Sequence, residues 1–258
     1  MLIATWRAVL REAGGRLSAG EAALVWFGSN LARYLPGTGW QVGVMGIMAR
    51  ERGVGVAVST TASIVVTVAS TLTGLLVCVA GLAALAATRP AIGSRAMMLA
   101  ALGALALLAS PFLLPRMARM ASRITGRDIR LPSVSGRAVA VAAVGTTFAW
   151  LSYGVAFWLL ARAVLPPGAT PGLLACIALY TFSYLAGWFN PMPAGIGVSE
   201  PVIILLAPQL GIASTSEATV LALFVRAWRT VMEMGPSLMA VAMASMSGRS
   251  RQERNSNS

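Results

Sequence analysis

Residues 186–200, AGWFNPMPAGIGVSE, set Pro191 and Pro193 beside Gly195 and Gly197 in the middle of an otherwise apolar segment. No regular helix crosses such a stretch. Each proline removes a backbone donor and clashes with the preceding turn, and glycine permits turns that side-chain-bearing residues resist. The flanks, LLACIALYTFSYLAGWF and PVIILLAPQLGIA, are compatible with lipid, so the break is expected at membrane depth. Irregular backbone is tolerated there only where protein or a water-filled cavity covers it, which makes the break a candidate binding site.

With 57% hydrophobic and 11% charged residues, the chain is expected to be an all-α integral membrane protein. Its abundant glycine and alanine suit close helix packing in a bilayer. The net charge of +12 comes from 20 arginines, no lysine and 8 acids. These arginines cluster in short loops between apolar runs, which points to membrane orientation and away from nucleic acid. Cys78 and Cys176 fall in apolar runs, as free buried thiols do. No disulfide is expected, and with no histidine neither a metal site nor a cofactor is.

In chain order, residues 1–10 resemble the tail of a helix, too short to span, and imply a missing opening upstream. Residues 22–35 and 41–48 are short apolar pieces separated by Pro36, Gly37 and Gly39. Fourteen residues of helix cover about 21 Å, less than a bilayer core of about 30 Å, so the pair is expected to form a re-entrant hairpin. Spans are expected at 54–87, 96–114 and 138–165. A second broken segment then runs from 173–189 to 202–210, and a last helix covers 217–246. The expected organisation is one transmembrane domain, 1–247, followed by a disordered polar tail, 248–258.

The neighbourhoods of the two breaks match in order. Arg7-Ala-Val-Leu10 recurs as Arg162-Ala-Val-Leu165, Pro36 matches Pro193, and Gly53 matches Gly211, at offsets of 155, 157 and 158. Three ordered matches with a slowly drifting offset indicate an internal repeat, about 1–88 and about 138–247, joined through the basic loop 116–137. Arg11, Arg16, Arg50 and Arg52 flank the first hairpin, whereas uncharged loops flank the second. By the positive-inside rule the two hairpins enter from opposite faces, an inverted-topology repeat, with the basic loop and the C-terminus cytoplasmic.

Arg226, Arg229 and Glu233 share one face of the last helix, at spacings of three and four. A central arginine costs about 2.5 to 3.5 kcal/mol on insertion scales, so it should face protein or water. Arg33 and Tyr34 precede the first break, and Glu200 follows the second. Three arginines against two glutamates leave one positive charge, suited to an anionic group such as a lipid phosphate. Two plainer readings stand beside this one. Arg229 and Glu233 pair with each other, and Glu200 stabilises a helix N-terminus opened by Ser199. Trp40 and Trp188, beside the breaks, fit interfacial anchoring. No nucleophile with a base, no phosphate-cradling loop and no paired carboxylates are found, so an enzyme is not expected.

NLARYLPGTGW (30–40) and PMPAGIGVSE (191–200) resemble two signatures of the transmembrane region of lysylphosphatidylglycerol synthases, a flippase-like family with stand-alone members. Ala194 replaces a glycine of that pattern, and Ser199 an arginine. The resemblance implies movement of a lipid between leaflets of a bacterial plasma membrane, the cargo being an anionic phospholipid or a polyprenyl-phosphate-linked headgroup. The candidate substrate contacts beside the two breaks are Arg33, Tyr34, Pro36, Gly37, Pro193, Gly195, Gly197 and Glu200. Arg226, Arg229 and Glu233 join them from their place in the last helix. The alternative is a non-transporting subunit or scaffold for a lipid-modifying enzyme.

Overall fold

The computed structural model describes residues 1–34, 40–86, 134–188 and 197–256, with side chains as far as 242. Within them lie eight α-helices, one short 3-10 turn and no strand. The helices are α1 Leu2–Glu12, α2 Ala19–Asn30, which runs into the 3-10 turn Leu31–Tyr34, and α3 Trp40–Arg50. They continue with α4 Val56–Ala86, α5 Gly136–Val164, α6 Leu173–Trp188, α7 Ser199–Gln209 and α8 Thr215–Ser256. The expected span at 96–114, most of the basic loop, and Pro36, Gly37, Pro193 and Gly195 lie outside the described residues.

Described elements flank both expected breaks, the 3-10 turn ending at Tyr34 and α3 beginning at Trp40, and α6 ending at Trp188 and α7 beginning at Ser199, while 35–39 and 189–196 themselves lie outside the described residues. Ser199 and Glu200 begin α7, three residues ahead of the expected start at 202, because a carboxylate in the first turn is favourable there. The C-terminal stretch differs from expectation. Residues 248–256, expected as a disordered tail, continue α8. Arginine, glutamine and glutamate are good helix formers, and extending an existing helix avoids the cost of nucleation.

Helix α4, 31 residues long, spans about 45 Å, and α4 and α5 are long and apolar enough to cross a membrane, with mean hydropathies of 2.2 and 1.5. Several of their hydroxyls are absorbed internally, whereas Thr61 Oγ1 is buried without a hydrogen-bond partner among the described residues. Ser63 and Thr73 donate to carbonyls one turn back at 2.9 and 2.8 Å, and Thr73 meets Thr146 across the α4–α5 interface at 2.9 Å. Gly154 lets α5 approach α6 so closely that a Cβ there would lie 2.6 Å from Ile177 Cγ1 and 2.8 Å from its Cα. Outward-facing side chains such as Val144, Phe148, Leu159, Leu223 and Val231 form an exposed apolar surface, as a lipid-facing protein requires.

The core is divided between two clusters. One gathers α1 to α4 and the start of α5 around Trp6, Val25, Met45 and Ala49, and the other gathers α5 to α8 around Phe157, Cys176, Ile203 and Ala207. Helices α3 and α7 each run eleven residues and end in the same way. Gly53 and Gly211 adopt φ of 80° and 66°, and the next residues, Val54 and Ile212, donate to Ala49 and Ala207 at 3.0 and 2.9 Å. This glycine-terminated cap satisfies carbonyls that the helix end would otherwise leave open. Packing crosses between the halves: α2 lies against α8, and α6 lies against α4.

Two helix starts share another device. Ser18 and Glu21 form a capping box at α2, and Ser214 and Glu217 exchange the corresponding bonds at α8. Bonds from the Ser18 backbone and hydroxyl hold the Glu21 carboxyl below its ordinary range, and Ser214 does the same for Glu217.

Candidate functional site

Helix α8 carries Arg226, Arg229 and Glu233 on one face, and the two breaks bring the other charged groups to it. The 3-10 turn after α2 ends at Arg33 and Tyr34, and both reach Glu233. Arg33 Nη1 lies 3.6 Å from Glu233 Oε1, and the Tyr34 hydroxyl donates to Oε2 at 3.2 Å. From the other break, Glu200 presents Oε1 to Arg226 Nη1 at 3.6 Å while Oε2 accepts the Gly197 N–H at 3.1 Å. Glu200 therefore anchors the Gly197 turn and pairs with Arg226, while the N-cap of α7 is Val198 and not the expected Ser199. Gly197 adopts φ 83°, a left-handed turn that favours glycine and aims its N–H back at the carboxylate.

The four paired side chains keep between 19% and 25% of their surface exposed, so they are shielded yet reachable. Each broken segment is thus tied to α8 by one ion pair of opposite sense. The first segment contributes an arginine and the second a glutamate.

Arg229 is held differently. It shares its face with Glu233, but Glu233 is committed to Arg33 and Tyr34, and among the described residues Arg229 has no carboxylate partner. Its Nη2 donates to Ser183 Oγ at 3.3 Å, and Ser183 in turn donates to the Tyr180 carbonyl at 2.9 Å. The guanidinium lies 4.7 Å from the Tyr180 ring centroid and 5.2 Å from that of Tyr184, within cation–π range. Among the described residues its buried Nε has no hydrogen-bond partner.

Arg33 completes the network, donating through Nη2 to the Tyr184 hydroxyl at 2.8 Å and lying 5.2 Å from the Trp188 ring centroid. Seven of the sequence-predicted residues are described, and six of them, Arg33, Tyr34, Glu200, Arg226, Arg229 and Glu233, converge on α8, with Gly197 adjoining through Glu200. The remaining four are those outside the described residues. Tyr180, Ser183 and Tyr184 were not singled out from sequence. Their signal is the recurrence of Tyr180, Tyr184 and Trp188 at every fourth position, one stripe along α6. Trp40, at the start of α3, is 55% exposed.

A cavity of about 520 Å³ lies elsewhere, at the α1–α2 turn, bordered among the described residues by Arg11, Gly14, Arg16 and Leu17. The cysteines are both free and buried.

The family model described as the lysylphosphatidylglycerol synthase TM region matches residues 1–235, from the first helix through Glu233. No curated protein and no solved structure matches the chain.

Proposed function

The chain belongs to the family of the lysylphosphatidylglycerol synthase TM region, and from that premise we propose that it is a translocase moving an anionic phospholipid or a lipid-linked anionic headgroup between leaflets. The observation that carries this is the meeting of charges from both broken segments on one face of α8, where three arginines oppose two glutamates. One net positive charge in a shielded place favours an anion, and arginine offers phosphate a planar, bidentate donor.

An inverted repeat accounts for how such a site would work. Its support is the shared order of broken segment followed by long helix, the like caps after α3 and α7, and the crossed packing of α2 and α6. In this reading the broken segments are re-entrant hairpins that open alternately to the two leaflets while the acyl or prenyl chains remain in lipid. We place the protein in a bacterial plasma membrane, with the basic loop 116–137 and the C-terminus cytoplasmic. Membrane lipids are its partners, together with a lipid-modifying enzyme as a candidate, and the chain itself is not an enzyme.

The test is reconstitution of purified protein in liposomes carrying fluorescent phospholipid or polyprenyl phosphate, following arrival of label in the opposite leaflet. Faster exchange with the wild type than with empty liposomes, lost in Arg226→Ala, is expected. Equal rates for all three would leave a non-transporting scaffold.

A further inference from the structure

Arg33 and Arg226 each face a carboxylate at 3.6 Å. Arg229 stands between those two pairs on α8 without a carboxylate of its own among the described residues, and one of its donors is buried and unsatisfied. Buried N–H groups without acceptors are rare in native proteins, and each calls for a reason. Tyr180 and Tyr184 hold the guanidinium by its face, and Ser183 takes Nη2. The Nε–H is the donor left buried and unsatisfied among the described residues, and an oxyanion is a natural acceptor for it.

We propose that Arg229 is the primary seat for a phosphate-type oxyanion, and that the Arg33–Glu233 and Arg226–Glu200 pairs are latches which the seated anion opens. The proposal rests on the reading of this cluster as a headgroup site, and it assigns the parts. Arg226 and Glu233 are seven residues apart, about 10 Å along the helix, with Arg229 between them. A tetrahedral oxyanion bound to Arg229 has further oxygens with which to compete for Arg33 and Arg226. Drawing those arginines off leaves Glu233 and Glu200 without their counter-charges, and α8 loses its ionic hold on both broken segments together. Arrival of one ligand is thereby coupled to release of two segments.

Competition fixes the sign of each substitution. The glutamates vie with the ligand for the same arginines, so removing either should tighten anion binding. The experiment is calorimetric titration of the purified full chain in dodecyl maltoside, with inorganic phosphate in one arm and dihexanoylphosphatidylglycerol in the other. The wild type should bind at least one probe. Whichever it binds more tightly distinguishes free oxyanion from lipid headgroup. Arg229→Gln should weaken binding at least tenfold, Arg229→Lys should weaken it while keeping charge and fold, and Glu200→Gln and Glu233→Gln should each tighten it several-fold.

Binding to neither probe by the wild type, wild-type affinity in Arg229→Gln, or no tightening in both glutamate variants would overturn the proposal. Liposome transport separates it from the broader function. Binding without lipid movement removes translocation and leaves the seat, whereas unchanged movement in Arg229→Gln removes the seat and leaves translocation.

Discussion

Glu233 Oε1 lies 3.6 Å from Arg33 Nη1, so one ion pair joins the first broken segment, just ahead of its break, to the last helix. Both groups are mostly buried, and removing either leaves the other short of a partner. Arg33→Gln and Glu233→Gln should each cost about 1 to 3 kcal/mol. A double-mutant cycle read by thermal unfolding in detergent should return a coupling of about 0.5 to 3 kcal/mol. Additive effects would show that the two residues do not stabilise each other.

Arg226→Lys should leave insertion intact and slow lipid movement about tenfold. That is the consequence of losing roughly 1.4 kcal/mol of directed bonding when a planar fork becomes a point charge. Transport rate per inserted protein is the quantity to compare, and a lysine variant as fast as wild type would remove the geometric requirement.

Gly154→Ala pushes a methyl group against the Ile177 backbone, which cannot rotate away, at 2.8 Å. Overpacking of this kind costs about 1 to 3 kcal/mol. The unfolding midpoint should fall, while Gly136→Ala, where an added Cβ meets nothing within 4 Å, should leave it nearly unchanged.

Acidity should loosen the two capped helix starts. Bonds from Ser214 depress the Glu217 carboxyl, and bonds from Ser18 depress that of Glu21. A depressed folded-state value contributes stability above the ordinary glutamate value of about 4.3 and loses it as pH falls through the folded value. Thermal midpoints of wild type and Glu217→Gln, measured from pH 6 downward, should therefore converge in acid. A constant gap would mean that the carboxylate charge is immaterial.

Single cysteines replacing Ala169 and Ser214 flank the second broken segment and should be labelled from outside the cell by an impermeant maleimide. The native thiols are buried and should give little background. Labelling confined to the cytoplasmic side would refute the inverted arrangement.

The element ends at Tyr34 and Trp188 were legible because the proline and glycine that follow each act through backbone geometry, which needs no tertiary context. The charged residues were legible because arginine and glutamate are costly in apolar helices. Their pairing was not. Arg229 and Glu233 are one helical turn apart, and spacing alone makes them partners, yet Glu233 turns to Arg33 and Tyr34 because α2 crosses α8 at that level. Tyr180 and Tyr184 were passed over for a related reason. Aromatic residues in an apolar helix usually pack, and it is the arrival of Arg229 and Arg33 from other elements that gives these rings cations to hold.

The crossed packing of α2 on α8 also bears on how the molecule is made. Synthesis delivers Arg33 to the membrane long before Glu233 exists, so for most of translation the first broken segment carries an arginine with neither its packing partner nor its counter-charge. At about 2.5 to 3.5 kcal/mol for a central arginine, that intermediate is expected to linger beside the translocon or at the interface until α8 emerges. A nascent chain arrested before residue 233 should then remain extractable or protease-sensitive around Arg33. The step that closes the site is also the step that completes insertion.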